Sequence, residues 1–247
     1  MTNSSFLIPD WSAPSTVKAC ISLRHHTLGH SSPPFQTFNL ANHVGDDPAQ
    51  VKKNRALFRE YVPADPHWLK QTHSDTLINL DDVLNKKESN ADAAFTTTRK
   101  KICAVMTADC LGILLCNRKG TLVAAIHAGW RGIVNQIIAK SIQQLPCKPH
   151  DLLATIGPAI GPKYFEIQED VKKQLDSSIP DVKSAFHSYK PGYFLANLFT
   201  LAKKQLHFSG VNDIFCDEQC TYSDPEKYFS YRRDGDTGRI AHCIWIE

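Results

Sequence analysis

Three residues carry side chains suited to joint chemistry: His73 in Gln71-Thr72-His73-Ser74, Cys110 in Thr107-Ala108-Asp109-Cys110, and His127 in His127-Ala128-Gly129-Trp130-Arg131-Gly132. Each ends a strand-like or extended run, where side chains from separate segments can converge on a cleft while the scaffold holds them rigid. Two imidazoles and a thiolate are good zinc ligands, and three protein ligands leave a fourth position open, as catalytic zinc requires. Copper accepts the same donors. A plainer reading of the same residues makes Cys110 a core cysteine and His127 the stabiliser of a turn. Thiolate nucleophiles need the same residue types, so Cys110 with His127 or His73 as base also fits a cysteine hydrolase.

Familiar signatures are missing from the rest of the sequence. It has no Walker-type phosphate loop, no G-x-G-x-x-G, no H-E-x-x-H and no G-x-S-x-G. The zinc-deaminase pattern also fails, because Ala128-Gly129 follow His127 and Pro146-Cys147 lacks a second cysteine. Cys216 and Cys220 form a lone C-x-x-x-C pair, read as structural. Lys86-Lys87 and Arg99-Lys100-Lys101 read as solvated loop charges.

Positioning three distant residues falls to the elements between them. Short apolar runs at Ile102 to Met106, Leu111 to Cys116 and Leu122 to Ile126, bounded by turn residues, predict buried strands. Ile133, Ile137, Ile138, Ile142 and Leu145 share one face of a helix that Pro146 ends, and Leu152 to Ile156 follows as a strand. Ahead of these, Asp46-Asp47-Pro48 starts a helix over Ala49 to Tyr61. Helices are expected at Glu169 to Leu175 and Leu195 to His207, and strands near Val211 to Cys216, Tyr228 to Tyr231 and Ala241 to Ile246. This mixture predicts an α/β or α+β fold: one domain over residues 1–247, with a mixed β-sheet core flanked by helices.

Composition bounds the partners. With 42% hydrophobic and 21% charged residues the chain is globular, and 247 residues bury a sizeable core without disulfides. The balance of 28 Lys and Arg against 25 Asp and Glu gives a net charge of +3, too small and dispersed for nucleic acid. No apolar stretch approaches the roughly 20 residues that cross a bilayer, so no membrane association is expected. The N-terminal residues lack the basic region of a secretory signal, and eight scattered cysteines suit free thiols in a reducing cytoplasm. Oligomeric state leaves no mark in the sequence.

Several longer motifs occur together: Asn39-Leu40 with His43-Val44-Gly45-Asp46-Asp47-Pro48, Trp68-Leu69-Lys70-Gln71-Thr72-His73, Met106-Thr107-Ala108-Asp109-Cys110, His127-Ala128-Gly129-Trp130-Arg131-Gly132, Ile156-Gly157-Pro158-Ala159-Ile160-Gly161-Pro162 and Tyr228-Phe229-Ser230-Tyr231-Arg232-Arg233-Asp234-Gly235. From about Trp11 to Trp245 the chain resembles the bacterial purine nucleoside phosphorylases of the laccase-domain type, also called polyphenol oxidase or peptidoglycan editing factor proteins. The resemblance implies sheets layered between helices, zinc held by His73, Cys110 and His127, and one site for phosphorolysis of adenosine, inosine and methylthioadenosine and for adenosine deamination. Three positions depart from the family pattern: His25-His26-Thr27-Leu28-Gly29-His30-Ser31 follows Arg24 in place of a Gly-Gly-x-Ser turn, Ala41 stands for Gly, and Gly112 for Pro.

Phosphorolysis needs an anion site, and the guanidinium fork suits phosphate. Arg24, Arg131, Arg232 and Arg233 are the candidates, Arg232 and Arg24 foremost; His43 is a weaker candidate for reaching a ligand, with a turn-stabilising hydrogen bond as the equal alternative. Deamination at C6 of adenine would use water activated by the same ion. Asp109 is then the candidate catalytic acid/base or the group that orients a ligand imidazole, with a turn-capping role as the alternative. Purine nucleosides and phosphate are the expected partners. The competing activity is a cysteine or zinc hydrolase that edits cell-wall precursors. A multicopper oxidase would need many paired histidines, and the 11 histidines here include no H-x-H pair.

Overall fold

The computed structural model describes residues 5–83 and 88–247. Lys86 and Lys87, expected as loop charges, lie outside the described residues. In chain order the elements are β1 (Phe6–Leu7), β2 (Val17–Ser22), α1 (Pro48–Arg59), β3 (Leu69–Lys70), β4 (Leu77–Asn79), β5 (Ser89–Asn90), β6 (Ala93–Thr96), β7 (Ile102–Thr107), β8 (Leu111–Asn117), β9 (Val123–Ala128), α2 (Trp130–Val134), α3 (Ile137–Gln144), β10 (Leu152–Ile156), β11 (Glu166–Gln168), α4 (Glu169–Ser178), β12 (Phe186–Lys190), β13 (Tyr193–Ala196), α5 (Leu198–Phe208), β14 (Asp213–Cys216), α6 (Tyr231–Asp234) and β15 (Ile240–Ile246).

Alternate side chains of a strand point to opposite faces, so a strand apolar throughout must be covered on both. β8 shows this. Leu111, Ile113 and Leu115 pack with Ile137, Ile138, Leu201 and Leu206 of α3 and α5, while Leu114 and Cys116 pack with Val105 of β7 and Ile244 of β15. The six-stranded sheet, ordered β14-β10-β8-β9-β6-β4, is therefore covered by helices on one face and by the four-stranded sheet β1-β2-β15-β7 on the other. The outer face of the smaller sheet, with Ile102, Ala104, Met106 and Cys243, is closed by Phe38, Leu40 and Phe58 of α1. The result is one domain in four layers, helix, sheet, sheet, helix. Its larger sheet is mixed, since β10–β14 and β4–β6 are parallel and the remaining pairs antiparallel.

Helix α1 starts where the sequence predicts: the Asp47 side chain accepts the Ala49 N–H at 2.8 Å and Pro48 occupies the first turn. Val51, Asn54 and Phe58 then face inward. Truncating a phenylalanine buried like Phe58 to alanine costs about 3–5 kcal/mol.

Three expectations are corrected. The helix expected from Ile133 to Leu145 is two, because Gln136 adopts a left-handed conformation (φ 65°) between α2 and α3, its side chain bonded to Ser178 and Gln205. Leu195 belongs to β13, and the helix after it starts only at Leu198, where Asn197 caps the Thr200 N–H at 3.1 Å. Tyr228 to Tyr231 is not a strand. The Arg233 guanidinium takes the carbonyls of Thr221, Tyr222 and Tyr228, satisfying the backbone without a ladder, and Ser230 caps α6. No helix among the described residues is long and apolar enough to cross a membrane.

Candidate metal centre

The turn that joins β7 to β8 carries the chain from the smaller sheet to the larger, and Cys110 is its last residue. His127 lies in β9, beside β8 in register with Gly112, and His73 follows β3. Strand ends thus bring together residues far apart in sequence. One ligand atom from each of His73, Cys110 and His127 lies within 4.8 Å of the others. Cys110 Sγ is 3.8 Å from His73 Nε2, and the two imidazole centroids are 4.8 Å apart at 72°. His73 is exposed, Cys110 half-buried and His127 buried.

Space for this cluster comes from Gly129, where a Cβ would stand 2.9 Å from both Cys110 Sγ and His73 Cδ2. Burial opposes ionisation of Cys110, but the imidazoles of His127 and His73 outweigh it and lower its pKa. His127 moves the other way: burial disfavours its charge, yet Cys110 and Asp92 raise its pKa. The Cys110 shift favours the thiolate, the ligating form of cysteine, whereas His127 would give up a proton on binding an ion, since only a neutral imidazole ligates. Soft sulfur, two imidazoles and a cradle that a single Cβ would fill make a donor set that fits zinc or copper.

Asp92, fully buried ahead of β6, was not singled out by sequence reasoning. Its Oδ1 pairs with His127 Nδ1 at 2.8 Å and accepts the His73 N–H at 3.1 Å. Burial would raise its pKa, but hydrogen bonds from His127 and Ser74 bring it down to about 2. The carboxylate that bonds the His127 imidazole is thus Asp92, while Asp109 bonds Thr221 and Arg232. Asp109, which also lines the cleft beside the cluster, has φ 93° and is held by three hydrogen bonds: Oδ1 accepts the Thr221 hydroxyl at 2.6 Å, Oδ2 the Arg232 N–H at 2.7 Å, and its carbonyl the Ile160 N–H at 2.9 Å.

The cluster opens on a cleft of about 460 Å³, within the usual range of small-molecule sites. Trp130, Ile160, Phe165, Leu198 and Tyr231 give it an apolar wall, while His43, Arg131, Arg232 and Arg239 supply polar groups. Arg232 Nη1 donates to the carbonyls of Tyr164 and Glu166 at 3.1 and 3.2 Å, and its guanidinium lies 5.4 Å from the Phe165 ring centroid. Arg131 stacks on Trp130 at 4.2 Å. His43 is exposed, and desolvation together with Arg239 lowers its pKa, so it is neutral at pH 7.

Two expected anion ligands lie elsewhere. Arg24 is not among the cleft residues; its buried guanidinium bonds Asp234 at 3.3 Å and the Gln36 carbonyl. Arg233 is occupied with the carbonyls named above. Arg239, half-buried in the cleft, was missed, because nothing in Thr237-Gly238-Arg239 separates it from a surface arginine.

Residues 18–247 match the family described as multi-copper polyphenol oxidoreductase laccase. The chain belongs to this family. Among curated relatives it is 41% identical to the purine nucleoside phosphorylase YfiH of Shigella flexneri, over 98% of this chain and 99% of that one. Identity to the purine nucleoside phosphorylase PA4543 of Pseudomonas aeruginosa is 38%, over 99% of each. Among solved structures, Neisseria meningitidis protein NMB0706 superposes with a TM-score of 0.95 at 40% identity, over 99% of this chain and 100% of that one. YlmD from Geobacillus stearothermophilus gives 0.90 at 27%, over 100% and 98%. Despite the family's description, the described residues of this laccase-family chain gather such donors into one three-residue group.

Proposed function

We propose that this protein is a metal-dependent purine nucleoside phosphorylase acting on adenosine, inosine and methylthioadenosine, with adenosine deaminase activity, in the cytoplasm. The observation that carries the reading is the opening of the His73–Cys110–His127 cluster onto a cleft with an apolar aromatic wall and a cationic rim. The phosphorylase names of the full-length relatives favour it over a cell-wall hydrolase.

His73, Cys110 and His127 would hold the ion, and zinc is the better match to a thiolate with two imidazoles. When bound, zinc supplies Lewis acidity and the means to activate water near neutral pH. In phosphorolysis a phosphate oxygen bonds to the anomeric carbon, the glycosidic C–N bond breaks, and the purine leaves with its electron pair and takes a proton. Trp130, Phe165 and Tyr231 offer flat apolar surface to the purine. Arg131, Arg232 and Arg239 converge on the same space, where guanidinium forks bind phosphate and offset its charge. Arg131 and Arg232 retain nitrogens without protein partners among the described residues, so they can receive an anion without breaking existing bonds. His43, neutral and exposed, can donate to or accept from a sugar hydroxyl. Asp109 holds Arg232 in place.

Product analysis tests the proposal. Purified protein is incubated with adenosine, with and without phosphate, beside Cys110→Ala. Adenine and ribose-1-phosphate that require both phosphate and Cys110 are expected, with inosine formed when phosphate is omitted. An unchanged nucleoside in every tube would overturn the reading, and adenine without inosine would remove the deaminase part.

A further inference from the structure

We infer that Asp92 is the positioning residue of the metal centre: it fixes which nitrogen His127 offers to the ion and, with the same two oxygens, locks the turn that presents His73. The inference rests on the metal reading above and goes beyond it, since it concerns a residue that touches neither ion nor substrate.

Asp92 receives five donors. Oδ1 takes His127 Nδ1 at 2.8 Å and the His73 N–H at 3.1 Å; Oδ2 takes the Thr72 N–H at 3.1 Å, the Ser74 N–H at 2.6 Å and the Ser74 hydroxyl at 2.7 Å. An ionised carboxylate only accepts, so the His127 nitrogen facing it must carry a proton. In the neutral imidazole, the form that can hold an ion, the lone pair is then on Nε2. The backbone repeats the grip, as the His127 N–H donates to the Asp92 carbonyl at 2.7 Å.

The second half concerns His73. Its φ of 60° is a left-handed conformation, uncommon for a residue with a Cβ although less so for histidine than for most. Three successive N–H groups, from Thr72, His73 and Ser74, donate to Asp92, and this anchoring holds the turn in that conformation. The backbone that carries the exposed His73 side chain is thereby tied to the same carboxylate that bonds His127. Burial of the unpaired carboxylate would be costly, and the five donors account for its persistence as an anion.

Asp92→Asn tests this. An amide has one acceptor oxygen and puts N–H groups against the donors of the 72–74 turn, while keeping the size of the side chain. Metal binding is measured on the full chain with zinc alone, by competition with a chromogenic chelator. The thiolate-to-metal band of the cobalt(II)-loaded protein gives a second readout that catalysis does not enter. Wild type is expected to bind one ion, and Asp92→Asn to bind it about 10–100-fold more weakly, the usual cost of losing an outer partner of a metal-ligating histidine, with an altered cobalt spectrum. Equal affinity and an identical cobalt band would overturn the inference. If the variant does not fold, ¹⁵N-histidine NMR of zinc-loaded wild type decides: His127 with Nδ1 protonated and Nε2 on the metal supports the inference, and Nδ1 on the metal overturns it. A wild-type chain that binds no zinc or cobalt would defeat the metal reading itself, which is distinct from a wild-type chain that binds and a variant that binds equally.

Discussion

The carboxylate of Asp109 accepts the backbone N–H of Arg232 at 2.7 Å, across 123 residues of sequence. This contact ties the residue beside Cys110 to the start of α6, the element that carries Arg232 at the cleft. The other oxygen is taken by Thr221, so Asp109 has the environment of an anchor.

The two roles open to Asp109 give opposite results in one pair of variants. In Asp109→Asn the amide oxygen can still accept from Arg232 and the amide nitrogen can donate to the Thr221 hydroxyl, so the anchor survives. Asp109→Ala loses both bonds and leaves a buried donor unpaired, at about 1–3 kcal/mol. Denaturant unfolding should show this loss for Ala and little of it for Asn, and phosphorolysis by Asn should stay near wild type. A fall of roughly 10²–10⁴-fold in Asn would instead assign proton transfer to Asp109.

Gly129 is required for space, because its φ of −76° suits any residue. In Gly129→Ala the new Cβ would sit 2.9 Å from Cys110 Sγ and His73 Cδ2. The expected outcome is a folded protein with well under one equivalent of zinc by elemental analysis and correspondingly little activity. Full zinc occupancy would mean that the exposed His73 moves aside at little cost.

How far the sequence discloses such a site depends on what kind of relation carries it. His73, Cys110 and His127 are legible because their residue types announce a function and strand ends gather them. The layered fold is legible because β8 and β9 are apolar without alternation and so must be covered twice. Asp92 is hidden, one acidic residue between Ala91 and Ala93, and its importance lies in pairings 18 to 35 residues away. The only signal was a charge within an apolar run, which demands partners. Arg24 illustrates the converse: its residue type suits phosphate, but Asp234, 210 residues on, has claimed it. The Tyr228 to Tyr231 run looks like a strand because it is rich in aromatics, of which Tyr228 and Phe229 are buried and Tyr231 is exposed, and only the carbonyl-capping Arg233 shows why it is not one.

Acid stability should report a carboxylate remote from the cleft. Burial raises the pKa of Asp81, but hydrogen bonds from the Thr96 hydroxyl and from the Thr97 N–H and hydroxyl, the latter two at 2.8 Å, hold it well below the ordinary value of 3.8. A folded-state pKa below the unfolded one contributes stability that is complete above the unfolded value and is lost as pH falls through the folded one. Wild type should therefore be more stable than Asp81→Asn at pH 6, and the gap should shrink steadily below pH 4. Urea midpoints from pH 6 down to 2.5 check this, and a gap independent of pH would refute it.

Gly112, one of the departures from the family pattern, is matched by a neighbour. A Cβ there would lie 2.4 to 2.5 Å from ring atoms of His242, which is fully buried, bonds Thr107 Oγ1 at 2.9 Å and has its pKa lowered to about 3 by burial and by His127. Gly157 meets the same ring from another strand end, with a Cβ position 2.5 Å from His242 Nδ1. The imidazole thus fills space that two glycines leave open between the sheets. Gly112→Ala should destabilise the fold by about 1–3 kcal/mol through overpacking. His242→Ala alone should also destabilise, by emptying the same space. The double variant should then be less destabilised than the sum of the two by about 0.5–3 kcal/mol, as expected for residues that share a volume. Denaturant titration of all four proteins closes the cycle. Additive losses would show that the glycine and the histidine are accommodated independently, and that the backbone beside Cys110 can shift to admit a Cβ without help from His242.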